Sequence, residues 1–105
     1  MPDIFDETLF GGNGNDLIYS SVLILMMRSH THRHMLIGDL EWSIMVPLAM
    51  QQFRLFQNDK GPIGYATWAF LSEEIAEQFP TRQDHLKPTE WRSGQECWII
   101  DLVAP

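Results

Sequence analysis

A chain of 105 residues is the size of one ordinary domain, whose folding removes roughly two-thirds of its unfolded surface from water. Hydrophobic residues make up 45% and charged residues 20%, a balance that argues against extended disorder. Acidic side chains number 14 against 7 basic ones, a net charge of -7 that repels phosphate backbones and leaves no basic stripe for nucleic acid.

Residues 1–15, "MPDIFDETLFGGNGN", are acidic and glycine-rich without apolar periodicity, and read as a mobile lead-in. Within and just after them, Gly11 to Tyr19 fits the nonapeptide G-G-x-G-x-D-x-U-x of calcium-binding β-rolls. A single copy buries no face against a neighbouring repeat, so a glycine-rich turn with Asp16 as a helix cap is the preferred reading and a calcium-responsive fragment the weaker alternative. Leu17 to about Arg28 is apolar enough for a buried helix. Its longest apolar run, Val22 to Met27, is too short to cross a bilayer, and no basic start precedes it; the expected location is cytoplasmic.

The polar "SHTHRHM" that follows places His30, His32 and His34 at alternate positions. On a strand this spacing offers three nitrogens to one metal, whereas on a helix it scatters them. The flanks read as helical and no carboxylate stands at ligand spacing, so no metal is expected; composition leaves open a solvated connection or catalysis by one histidine. A second helix is expected from about Ile37 through Leu48, with Trp42, Met45, Val46 and Ala49 along one side and Pro47 kinking or ending it.

"QQFRLFQNDKGPIGYATWAFL" reads as a hairpin, with Phe53 and Leu55 on one arm, Ile63, Tyr65 and Thr67 on the other, and Asn58-Asp59-Lys60-Gly61 between them. Ser72 with Glu73 and Glu74 marks a helix start, the helix being short and ending near Phe79-Pro80. A turn-rich stretch leads to "QECWIIDLVA", read as a mostly apolar strand in the centre of a sheet. Its Cys97 is the single cysteine, which leaves no intrachain disulfide, and reads as a packed small hydrophobe.

Three of these segments, in this order, resemble the RTX toxin-activating lysine acyltransferases, the hemolysin-activating family: "SHTHRHM" is similar to its Ser-x-x-His-Arg segment, "GPIGYATWAFLS" to its hairpin strand, and "EWRSGQECWIIDLVAP" to its Trp-x-Ser-Gly segment and Trp-x-Ile-Asp-x-x-Ala-Pro strand. The resemblance spans roughly residues 17–105. It implies an α/β (α+β) fold of GNAT-like acyltransferase type, N-terminal helices packed on a small, mostly antiparallel sheet, in a chain shortened at its C-terminus over residues 16–105. It further implies transfer of a fatty acyl chain from acyl carrier protein to an internal lysine of an RTX protoxin, with no bound cofactor. His32 falls on the catalytic histidine and Asp101 on the aspartate, with Ser29 and Arg33 beside the histidine as substrate-binding candidates. A non-catalytic binding module derived from that family is the alternative, and an open sheet edge makes a homodimer possible.

The residue types suit the implied chemistry. A lysine amine with an ordinary pKa of about 10.4 must lose a proton before it attacks a thioester, and an imidazole near 6.5 accepts one. An aspartate fixes the imidazole's tautomer and stabilises its charged form. An acyl tail needs an apolar groove, for which Met26, Met27, Met35, Met45 and Met50 are candidates. Acyl carrier proteins are acidic, so a docking face has to gather Arg28, Arg33, Arg54 and Lys60.

Overall fold

The computed structural model describes residues 15–105. The expected lead-in, apart from Asn15, and the glycine half of the nonapeptide lie outside the described residues. The other half is helical: helix α1 spans Asn15–Arg28, so Asn15 to Tyr19 do not form a β-roll strand. Asp16 stands inside its first turn, where a negative charge meets the positive end of the helix dipole, and not at the cap position expected of it.

Helix α1 is apolar nearly all round, yet it buries one side only. Val22, Leu25 and Met26 are buried, with Ile18 and Tyr19 packed beside them, while Leu17, Leu23, Ile24 and Met27 are exposed. The buried set follows the i, i+3, i+4 spacing of one helix face. Each such side chain taken from water contributes roughly 1.5–3 kcal/mol.

The second helical region is broken into three. A 3₁₀ turn covers Ile37–Asp39, a wide π turn Glu41–Met45, and a short helix α2 Val46–Ala49. Pro47 does not end the helical region, which runs on to Ala49; the regular helix breaks in the turn before it, and Pro47 itself stands in the first turn of α2, where its missing N–H costs least. In an unbroken α-helix the N–H of residue 47 would bond the Ser43 carbonyl. Here Val46 N reaches back five residues to the Glu41 carbonyl, and the Tyr65 hydroxyl donates to the Ser43 carbonyl at 2.8 Å. The buried residues are Ser43, Ile44, Val46, Pro47, Leu48 and Met50, so of the expected stripe only Val46 is fully inside.

The hairpin forms as expected, from β1 (Phe53–Asn58) and β2 (Gly61–Leu71). Asn58 Oδ1 accepts from Lys60 N at 2.8 Å, and Gly61 takes φ 127°, a conformation that requires glycine. Ser72 caps helix α3 (Glu73–Gln78), its Oγ accepting from Ile75 N at 3.3 Å, and a 3₁₀ turn at Phe79–Thr81 ends it.

Strand β3 (Glu96–Val103) pairs antiparallel with β2, giving the order β1-β2-β3. The central position expected of β3 belongs instead to β2, whose longer run is flanked on both sides; β3 is an edge among the described residues. Pairing jumps from Trp68 with Ile99 to Thr67 with Asp101, so Ile100 is an extra residue on β3, a bulge. Because side chains alternate across a strand, the bulge exchanges odd for even. Asp101 and Val103 face the helices on one side of it, and Ile100 and Trp98 face them on the other. Cys97, Ile99 and Leu102 are left exposed, which corrects the reading of Cys97 as a packed hydrophobe.

All the buried odd positions of β2, Tyr65, Thr67, Ala69 and Leu71, lie on the same face. Two clusters cover it: α1, Ile44, Leu48, Tyr65 and Val103 at one end, and Val46, Met50, Leu71, Ala76, Leu86 and Trp91 at the other. The architecture is thus α+β, helices on one face of a three-stranded antiparallel sheet.

Candidate active site

Helix α1 lies over Tyr65 and Val103, so the turn that follows it emerges above their neighbour on the same face of β3, Asp101. In that turn His32 N and Arg33 N both donate to the Ser29 carbonyl, at 3.2 and 2.9 Å, and Met35 N to the His32 carbonyl at 3.1 Å. This tight winding presents His32 inward while His30 and His34 remain exposed. His32 Nε2 lies 2.8 Å from Asp101 Oδ1, across 69 residues of sequence.

The other ring nitrogen has two neighbours. Ser29 Oγ is 2.6 Å and Thr31 Oγ1 3.0 Å from His32 Nδ1, and the two hydroxyls are 3.1 Å apart. An ionised carboxylate only accepts hydrogen bonds, so Nε2 carries the hydrogen in the neutral ring and Nδ1 holds the lone pair. Ser29, buried, then donates to Nδ1. Asp101 Oδ1 also accepts from Leu102 N at 2.9 Å. The His32 and Asp101 side chains keep 13% and 14% of their exposure, enough for a substrate to reach the pair and little enough to limit screening.

Behind the carboxylate stands Tyr65, whose hydroxyl is pushed far above the ordinary tyrosine range, by burial first, then by the Asp101 charge and by Tyr19. Burial likewise raises Tyr19. Both phenols thus stay neutral.

On the flank of His32 an apolar groove encloses about 150 Å³ between Leu23, Met26, Met27, Met35, Leu36, Ile37 and Leu40, with Arg33 and His32 at its edge. Leu36 and Ile37 are 75% and 87% exposed. Of the five methionines expected in such a groove, Met26, Met27 and Met35 line it; Met50 is packed in the other end of the core, and Met45 is partly buried outside the groove.

The structure thus brings together His32, Asp101 and Ser29, and sets Arg33 on the groove edge. Thr31, Tyr65 and Thr67 were not singled out for the site. Thr31 stood inside the histidine segment, and alternation along β2 sets Tyr65 and Thr67 on one face, but their place beside Asp101 depends on the bulged register of β2 with β3. Among the described residues, no group of three His, Cys, Asp or Glu side chains is arranged to hold a metal ion, and no helix is long and apolar enough to cross a membrane.

The chain is similar to several bacterial proteins. It is 31% identical over 85 residues to the lysine-acyltransferase RtxC of Vibrio cholerae serotype O1, covering 80% of this chain and 56% of the relative. Against the leukotoxin-activating lysine-acyltransferase LktC of a Pasteurella haemolytica-like species it is 34% identical over 88 residues, 84% of this chain and 53% of the relative. The protein-lysine palmitoyltransferase CyaC of Bordetella bronchiseptica aligns over all 105 residues at 27% identity and is covered to 57%. The chain therefore spans about half the length of the curated relatives it matches. The profile of the RTX toxin acyltransferase family matches residues 15–105, and with these likenesses it gives the conclusion that the chain belongs to that family.

Proposed function

We propose that this chain carries the acyl-transfer site of a protein-lysine acyltransferase, which moves a fatty acyl group from acyl carrier protein to an internal lysine of an RTX protoxin. The observation that carries the reading is the contact of His32 Nε2 with Asp101 Oδ1 at 2.8 Å, beside an open apolar groove.

His32 is the general base. The neutral lysine amine attacks the thioester carbonyl carbon, a C–N bond forms and the C–S bond breaks. The amine proton passes to His32 Nδ1, the lone-pair nitrogen, and from there to the departing sulfur, which leaves as a thiol. Asp101 holds the Nε2 hydrogen and stabilises the imidazolium as it forms. Ser29 and Thr31 hold the ring by its other nitrogen; when the amine arrives, exposed Thr31 gives way and Ser29 turns its hydrogen from Nδ1 to the Thr31 hydroxyl, 3.1 Å away, which frees the lone pair.

The groove receives the acyl tail. Each methylene taken from water contributes about 0.8 kcal/mol, and flexible methionines adapt to such a guest. Two relatives are named for long chains, a palmitoyltransferase and, in Kingella kingae, a protein-lysine myristoyltransferase. Arg33 at the groove edge is placed to meet an acidic carrier in spite of the net charge of -7.

The test is to incubate the protein with acyl-loaded carrier and a toxin fragment containing the acceptor lysine, and to read acyl mass on the fragment. Transfer is expected, with a loss of about 100-fold or more in His32→Ala, the usual contribution of a general base. Carrier binding without transfer by the unaltered chain would sink this reading and leave a binding module.

A further inference from the structure

We propose that Thr67 is a positioning residue for the proposed reaction, its hydroxyl serving the Asp101 carboxylate oxygen that His32 does not use. The inference rests on the reading of Asp101 as the partner of His32. Asp101 Oδ1 is fully engaged, by His32 Nε2 at 2.8 Å and Leu102 N at 2.9 Å. Oδ2 is buried and has no hydrogen-bond partner among the described residues, and Thr67 Oγ1 is in the same condition. The two residues are register partners across β2 and β3 and share the face beneath the helices, so their side chains are neighbours.

A buried carboxylate oxygen without a donor, and a buried hydroxyl without an acceptor, are each costly. Thr67 is 0% exposed. Valine has the same shape and would fill that space without the cost, so the hydroxyl needs a purpose, and Asp101 Oδ2 is the acceptor opposite it. A change to another staggered χ1 angle of Thr67, or one water between them, completes the bond.

The consequence is electrostatic. A hydrogen bond donated to a carboxylate favours its charged form, and only the charged form offsets the imidazolium. Among the described residues, His32 from the turn and Tyr65 from β2 are the titratable groups that act with Asp101, and Tyr19 from α1 acts on Tyr65; the two phenols stay neutral because burial raises both. Removing the Thr67 hydroxyl therefore takes a donor from the charge that orients His32, and transfer is expected to slow about tenfold.

The test is the rate of acyl transfer at pH 7 in the full chain and in Thr67→Val and Thr67→Ser, beside the ¹³C shift of the Asp101 carboxyl carbon at that pH. In Thr67→Val the carboxyl resonance moves and transfer slows about tenfold; Thr67→Ser, which keeps the hydroxyl, restores both. Thr67→Ala gives the same comparison if the valine variant does not fold. An unmoved carboxyl resonance in the hydroxyl-free variant overturns the proposal. A moved resonance, with transfer indifferent to Asp101→Asn, upholds the Thr67–Asp101 contact but refutes the catalytic reading and, with it, the positioning role.

Discussion

Asp101→Asn keeps the size of the side chain and removes its charge. The aspartate oxygen 2.8 Å from Nε2 also accepts from Leu102 N at 2.9 Å, so an asparagine presents its amide oxygen there and turns its NH₂ to the Oδ2 side. The neutral ring keeps its hydrogen on Nε2, and what is lost is the counter-charge of the imidazolium. Unit charges about 3–4 Å apart near a protein surface attract by about 4 kcal/mol or somewhat more, and the residual exposure of 13% and 14% reduces that. We therefore expect the transfer rate to fall roughly 10²–10³-fold, about 3–4 kcal/mol in the barrier. The rate is read by mass spectrometry of the toxin fragment, and the tautomer by ¹⁵N shifts of the His32 ring. A variant that moves the hydrogen to Nδ1, or that transfers at the unaltered rate, would refute the reasoning.

Two further outcomes follow from the packing below the site. Gly94 has no space for a side chain: a Cβ there would lie 2.5 Å from both the Leu71 carbonyl oxygen and Ser72 Cα, where the segment after Trp91 hydrogen-bonds along the end of β2, with Ser93 N and Gly94 N donating to the Phe70 carbonyl. Gly94→Ala must push backbone from backbone and is expected to cost about 2 kcal/mol, a fall in Tm of roughly 8–16 °C by Trp fluorescence, whereas a Tm within two or three degrees of the parent would contradict the close packing. The Arg82–Glu90 pair, bidentate at 2.6 and 2.9 Å, lowers the Glu90 carboxyl from 4.5 to about 2, chiefly through the Arg82 hydrogen bonds. Its contribution is complete above the unfolded value and is lost as pH falls through the folded one. With the two side chains 15% and 17% exposed, at the surface but partly covered, it amounts to roughly 1 kcal/mol. Denaturant unfolding of Glu90→Gln should thus show a deficit of that size at pH 7 that vanishes near pH 2, and an equal deficit at both would remove the charge from the explanation.

Local rules read from the chain succeeded where short-range chemistry decides. The hairpin around Asn58 to Gly61 follows from an asparagine that bonds two residues on and a glycine at φ 127°; the Ser72 cap follows from a hydroxyl three residues before Ile75 N. The choice of His32 over His30 and His34 came from the likeness to a family, because alternate spacing has no preferred member. The division of the region around Pro47 was only half legible: the proline leaves the Ser43 carbonyl without its helical donor, but the group that takes it up, the Tyr65 hydroxyl, stands 22 residues away, outside any window on residues 37–49.

Cys97 and the edge position of β3 were misread for a related reason. An apolar run looks the same whether both its faces are covered or one, and the covering is settled by which strands flank it. The bulge at Ile100 is the sharpest case: one extra residue turns Asp101 toward the helices and leaves Ile99 and Leu102 exposed. Residue types, turns and caps are written in the chain because they act over a few bonds. The meeting of an imidazole with a carboxylate 69 positions later is a matter of register and strand order, where a slip of a single residue sends the carboxylate to the opposite face of the sheet.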